Sequence, residues 1–350
     1  MGVKVSSFGK IPSGKETCLF TLINKNGMCM EVTDYGATLV SVMVPGKDHT
    51  LTDVVLGYED VMDYWKQEGY LGATVGRSCN RNGGANVTIQ GKTYELFKNE
   101  HGKNNLHSSP DGYNQMVWNY EVDEEELSVR FFRLSPNLEQ GYPGNFEISV
   151  TYTLTQENEV KIHYHGVSDQ DTVANLTNHS YFNLAGQGNG TILDHEVWID
   201  ADAFTVIDEE SIPTGEIRSV EGTPFDFRKR KRVGEQIEEK DEQLLLAGGY
   251  DHNFVLNKKA GELKKIAEVF EPKSGRKMEV FTTCVGVQFY TGNFITEGSH
   301  GKEGTIYHRR SGLCMETQFF PDAVHHENFP SPILKAGEIY DSITVYKWVG

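Results

Sequence analysis

WNYEVDEEELSVRFFRLSPNLEQGYPGNFEISVTYTLTQENEVKIHYHGV, residues 118–167, is the stretch on which the fold turns. It divides into four runs, broken near Glu124, across Pro136 to Gly144, and at Glu157-Asn158. Within each run apolar and polar side chains alternate with a period near two, the pattern of a strand with one buried face. Four such runs in succession predict a β-meander. The reading extends outward in both directions. Cys18 to Ile23 and Met28 to Val32 flank Asn26-Gly27 and predict a hairpin. A strand from Ala37 to Val44 stops at Pro45-Gly46. Val87-Thr88-Ile89 and Lys92-Thr93-Tyr94 flank Gln90-Gly91 as another hairpin. Further strands are expected over Glu196 to Ile199, Asn253 to Leu256, Ile266 to Phe270, Lys277 to Thr282, Val285 to Tyr290 and Ile343 to Val349. Tyr58 to Gln67 is the best helical candidate, and it is short.

Composition agrees with strands and turns. The 350 residues include 36 glycines, and aromatics make up 11%. No repeat, low-complexity tract or long linker divides the chain. The expectation is an all-β fold, a large antiparallel β-sandwich with few short helices, formed by a single domain over residues 1–350.

A formal net charge of −17 gives the long-range field the wrong sign for nucleic acid or an anionic membrane. No apolar run reaches the roughly 18 residues of a membrane span, and the N-terminus lacks the apolar core of a secretory signal. Met1-Gly2 with Ser6 matches a myristoylation pattern so permissive that it reads as chance. The five cysteines (Cys18, Cys29, Cys79, Cys284, Cys314) are scattered, with no CxxC pair. Reduced thiols in the cytoplasm are expected, where the sequons at Asn86, Asn175, Asn178 and Asn189 carry no glycan.

Several polar clusters interrupt these apolar strands. Asn175-Leu176-Thr177-Asn178-His179-Ser180-Tyr181-Phe182-Asn183-Leu184-Ala185-Gly186 surrounds one histidine with amides and hydroxyls. Such a set suits a neutral, polyhydroxylated ligand and one imidazole able to move a proton. It equally suits a core histidine satisfied by polar neighbours. Gly76-Arg77-Ser78-Cys79-Asn80-Arg81 puts two arginines in a glycine-flanked turn. Arg77 there either donates to ligand hydroxyls or pins the loop. Asn104-Asn105-Leu106-His107-Ser108-Ser109 and Tyr250-Asp251-His252-Asn253 are two more clusters. In Leu313-Cys314-Met315-Glu316-Thr317-Gln318 a carboxylate sits in a strand that otherwise reads as buried, where burial raises its pKa toward general-base work.

Other features take the plainer reading. His163 and His165 share a strand face but have no third ligand nearby, so an exposed face is favoured over a metal. His325-His326-Glu327 is treated alike. The basic run Arg228-Lys229-Arg230-Lys231-Arg232 reads as a solvated loop, and Gly186-Gln187-Gly188-Asn189-Gly190 as a turn. Two histidines, an isolated carboxylate, an Asp and Arg, Asn and Gln donors remain. They suggest proton transfer on a sugar-like ligand.

These segments resemble the aldose 1-epimerase family. The motifs are Gly76-Arg77-x-x-Asn80-Arg81, Asn105-Leu106-His107, the stretch from Asn175 to Gly186, Gly249 to Phe254, Gly286 to Phe294, Glu316-Thr317-Gln318 and Phe320 to Val324. They lie in the family's order. The resemblance implies a β-supersandwich and interconversion of the α- and β-anomers of aldohexoses, with no cofactor and no metal. It assigns Glu316 as the base at the anomeric hydroxyl, His179 as the acid at the ring oxygen, and His107 as an assistant beside it. Asn80, Arg81, Asp251 and Gln288 would hold sugar hydroxyls. Ring opening would place a carboxylate and an imidazolium on opposite sides of the pyranose. Ser108-Ser109 replaces a usual Gly-Gly, where serine narrows the backbone's freedom and could add a hydroxyl to the site. A monomer or weak homodimer is expected, with a small sugar as substrate. The alternatives are another hemiacetal, a sugar phosphate, or a non-catalytic sugar-binding protein.

Overall fold

The computed structural model describes residues 2–66 and 69–349. Its largest sheet has nine antiparallel strands. The predicted meander supplies four of them, Asn119–Asp123, Ser128–Ser135, Phe146–Leu154 and Glu159–Ser168. The order continues through Ile339–Val349, Lys277–Thr282, Lys264–Phe270, Glu196–Ile199 and Lys231–Arg232. Alternation explains the registry of its faces. Phe146, Ile148, Val150, Tyr152 and Leu154 are all buried, as are Val160, Ile162 and Tyr164 opposite them. His163 and His165 point the other way, with His163 on Asp341 at 3.0 Å.

Two five-stranded sheets cover the buried face. The first is an N-terminal meander of Gly2–Lys10, Glu16–Ile23, Cys29–Thr33, Thr38–Pro45 and Leu51–Asp53. Its Phe20 ring meets Phe131 edge-on at 5.5 Å, and Tyr152 donates its hydroxyl to Ala37 O at 2.8 Å. The second runs Pro213–Ser219, Ala201–Ile207, Asp251–Leu256, Gly286–Tyr290, Cys314–Gln318. It is tied to the large sheet where Tyr346 donates to Met315 O at 3.0 Å and Thr317 meets Thr344. Tyr152, Thr344 and Tyr346 lie on one face, by the pairings Tyr152–Ile162 and Ile162–Thr344. Two sheets therefore share one broad apolar floor, and one hydrophobic cluster contains residues from all three.

The all-β, antiparallel expectation holds, and each predicted hairpin is present. At Gln90-Gly91 both residues take positive φ (51° and 76°), the two-residue turn that matches strand twist. Five strands of these three sheets went unforeseen, Gly2–Lys10, Leu51–Asp53, Ala201–Ile207, Pro213–Ser219 and Lys231–Arg232, the last lying in the basic run read as a loop and pairing with Glu196–Ile199, and so did the helix Glu242–Ala247 capped by Asp241. The expected helix over Tyr58 to Gln67 is shorter, Val61–Lys66, and Gln67 lies outside the described residues. No helix among the described residues is long and apolar enough to cross a membrane.

Candidate active site

Three neighbouring strands deliver the acids and one amide. In the second five-stranded sheet Gln288 pairs directly with Asn253 on one side and Glu316 on the other. Asp251 is two residues from Asn253, so it shares their face. Gln288 donates to the Asp251 carboxylate at 2.8 Å. Glu316 is buried in a strand whose five residues are all buried.

The imidazoles come from two loops pinned to this sheet. Phe182 bridges to Leu313, which positions the segment before it alongside Cys314. His179 is held by backbone bonds to Ala73 O and from Gly72 N, both 2.9 Å. His107 follows the short strand Asn105–Leu106, which pairs with Arg81–Asn82. Backbone N–H of Asn80 donates to His107 Nδ1 at 3.1 Å, and His107 N–H donates to Asn80 O at 3.0 Å. An N–H cannot donate to a protonated nitrogen, so neutral His107 carries its ring hydrogen on Nε2. The rings of Tyr70, His107, Tyr181 and Tyr290 surround His179 with centroids 5.0–6.2 Å away.

His179 Nε2 stands 3.6 Å from Glu316 Oε2, which accepts no other hydrogen bond among the described residues. A pyranose cannot lie between two atoms so close, so the expected placement on opposite sides of the sugar is corrected. In the ring opening that the resemblance implies, the two oxygens that exchange protons are bonded to one carbon, C1, so their acid and base would stand side by side.

Burial sets the electrostatics. It holds His179 down to about 4, and holds His107 well below the usual imidazole range with help from His179 and Arg81. Burial and the Asp251 carboxylate push Glu316 well above the usual carboxylate range, against Arg81. Asp251 is also raised by burial, less so for the nearby guanidinium and the Gln288 bond. Arg81 lies 4.0 Å from Asp251 and is forked by Glu100 at 3.0 and 3.1 Å.

The side chains of His107, His179 and Glu316 bring three donor atoms within 4.8 Å of one another. That spacing approaches a metal site, yet the Asn80 bond leaves His107 Nε2 protonated and without a lone pair to give. The chemistry of the set fits hydrogen-bond donation and proton transfer better than ligation.

The seven expected site residues thus converge: Glu316, His179, His107, Asn80, Arg81, Asp251 and Gln288. Other members of the same motifs do not. Asn175, Asn178 and Asn183 are clamps on backbone groups of Phe319, Gly72 and Ser311, so the dodecamer contributes its histidine rather than its amides. Arg77 is buried among carbonyls, donating to Pro143 O, Gly144 O and Ser135 O, with no carboxylate partner among the described residues. It pins the loop. Ser108, at φ 55°, both accepts from Ser78 N and donates to Ser78 O, each at 2.9 Å, so its hydroxyl serves the backbone. The basic run is matched by acids: Arg228 to Asp226, Arg230 to Glu268, Arg232 to Asp194. His325 and His326 flank Asp322.

Glu100, the three tyrosines and Cys314 went unforeseen. Tyr290 and Cys314 had a signal, since each is two residues from a site residue on its own strand. Glu100 had none. Two other cavities, of about 570 Å³ beside Phe97 and about 210 Å³ beside Cys284, are lined by none of the seven.

With this geometry in view, comparison with known proteins is decisive. The family model described as aldose 1-epimerase matches residues 19–347. Galactose mutarotase from Bos taurus is 42% identical over 97% of both chains, and the Homo sapiens protein of that name is 40% identical over the same shares. Aldose 1-epimerase from Escherichia coli (strain K12) is 36% identical, again over 97% of each. Among solved structures, an aldose epimerase homologue from C. elegans superposes with a TM-score of 0.87 at 31% identity, covering 95% of this chain and 99% of its own. Galactose 1-epimerase from Lactobacillus acidophilus gives 0.87 at 27%, over 99% and 98%. The chain belongs to the aldose 1-epimerase family.

Proposed function

We propose that this protein is an aldose 1-epimerase, a mutarotase that interconverts the α- and β-anomers of aldohexoses such as galactose and glucose. The observation that carries the reading is the buried Glu316–His179 pair, 3.6 Å apart, with one carboxylate oxygen uncommitted. In ring opening, Glu316 takes the proton of the anomeric hydroxyl as C1=O1 forms. The C1–O5 bond breaks, and O5 takes a proton from His179. Rotation about C1–C2 turns the carbonyl over. Closure reverses the transfers: O5 returns its proton to His179, and Glu316 protonates O1. Neutral His107, a donor at Nε2, assists at the ring oxygen.

Asn80, Arg81, Asp251 and Gln288 hold the hydroxyls. A polar group left unpaired among them costs on the order of 1–3 kcal/mol, which is the source of selectivity. The protein acts as one domain in the cytoplasm, without cofactor, as a monomer or weak homodimer. All five cysteines are free thiols, which suits that compartment. A sugar phosphate draws no support, because Arg77 is spent on carbonyls and Arg81 on Glu100 and Asp251.

Polarimetry on freshly dissolved α-D-galactose tests the reading. Acceleration well above the spontaneous rate is expected. Measurable sugar binding with only the spontaneous rate would make the protein a sugar binder instead.

A further inference from the structure

Cys314 lies two residues before Glu316 on the same strand, fully buried, and its Sγ is 3.6 Å from His179 Nδ1. Catalytic imidazoles are commonly backed at the second nitrogen by a carboxylate or carbonyl, which can only accept a hydrogen bond. Here the backing group is a thiol, which can donate or accept. Burial, with the carboxylates of Glu316 and Asp251 nearby, pushes that thiol far above its usual range, so it keeps its hydrogen.

We propose that Cys314 is a positioning residue for His179, its sulfur accepting from Nδ1–H in both protonation states and so leaving Nε2 as the nitrogen that exchanges the proton. With His179 charged, the Nε2 proton is the one given to O5, and its loss leaves the ring hydrogen on Nδ1, pointing at sulfur, and a bare Nε2 facing Glu316 Oε2. Closure returns the O5 proton to that bare Nε2 while Nδ1–H stays on sulfur. A mutarotase needs both states in each turnover, one for opening and one for closure. A carboxylate there would favour the imidazolium and make it a poorer acid. The other groups facing His179 are Glu316 at Nε2 and the rings of His107, Tyr70, Tyr181 and Tyr290, with Arg81 and Asp251 acting on His107 and Glu316.

The inference rests on His179 being the acid, and the test separates the two. The full-length protein is labelled with ¹⁵N-histidine, and the His179 ring signals are identified by their loss in His179→Asn. The wild type should show a protonated Nδ1 and a bare Nε2 at neutral pH. Cys314→Ala should weaken that preference and lower kcat about threefold to tenfold, the effect of one modest hydrogen bond, with KM little changed. Cys314→Ser keeps a group that donates and accepts, so it should restore both the tautomer and most of the rate. Wild-type ring signals and rate in Cys314→Ala, or a Cys314→Ser protein whose ring hydrogen has moved to Nε2, would overturn the proposal. A full rate in His179→Asn would overturn the acid assignment itself.

Discussion

At the residue scale, the proposed acid and base share one proton. The buried pair is stable with a single proton between Glu316 and His179, and the two groups titrate together. In the proposed mechanism carboxylate with imidazolium opens the ring, and carboxylic acid with neutral imidazole closes it. A second proton, added as pH falls through about 4, leaves no base. Removing the shared proton, as pH rises past the raised Glu316 value, leaves no acid. The dependence of kcat/KM on pH should be a bell, with its acid limb near 4 and its alkaline limb above the ordinary carboxylate range. Activity still rising below pH 4 would contradict this assignment. Glu316→Gln removes the base while keeping shape, and should cost on the order of 10²–10⁴ in kcat. Circular dichroism should be unchanged; a variant at full rate would take Glu316 out of the chemistry.

At the scale of elements, the site depends on how separate strands and loops are clamped. Tyr152, on the large sheet, donates to Ala37 O at 2.8 Å and accepts from Asn178 Nδ2 at 3.1 Å. One hydroxyl thereby joins the large sheet, the N-terminal sheet and the residue before His179. Tyr152→Phe should lower stability by about 1–2 kcal/mol, because both partners keep a second bond, Ala37 O from Thr74 and Asn178 to Gly72 O. Urea denaturation measures the loss. A midpoint equal to wild type would place the clamp elsewhere. Such links explain what sequence could and could not reveal. The strands of residues 118–167 were legible because a half-buried strand prints its period directly. Gly2–Lys10 was not: beyond Val3 and Val5 it reads Ser6-Ser7-Phe8-Gly9, and it lies at the sheet's edge, paired on one side by Glu16–Ile23. Glu242–Ala247 is one turn and a half long, too short for a helical period to show. In the site, motifs named the residues, but partners set their tasks. Arg77 and Arg81 read alike in sequence; only packing sends one into carbonyls and the other to Glu100 and Asp251.

At the scale of the whole molecule, the burial that tunes the site also shapes stability against pH. Four imidazoles are held neutral by burial: His179 and His195 down to about 4, His252 to about 3, and His107 well below its usual range. In the unfolded chain each takes a proton near pH 6.5, so between about 4 and 6.5 the unfolded state binds more protons and stability rises with pH. Three buried carboxylates oppose this. Asp34 is pushed up to about 6, and Asp251 and Glu316 are raised, so the folded state holds protons that the unfolded chain releases near pH 4. His325, raised by its bond to Asp322, opposes the four imidazoles as well. The rise of unfolding free energy with pH should therefore be clearest near pH 5, where the unfolded imidazoles are still almost fully protonated. His195 isolates one contribution, since its ring accepts Leu184 N–H at 2.9 Å, outside the seven-residue cluster. His195→Gln can keep that bond through its carbonyl oxygen while deleting the titration. Its slope near pH 5 should drop by about one proton, about 1.4 kcal/mol per pH unit, with mutarotase activity unchanged. A slope as steep as the wild type's would mean that His195 takes up no proton on unfolding, and the balance would have to be sought in the other buried groups.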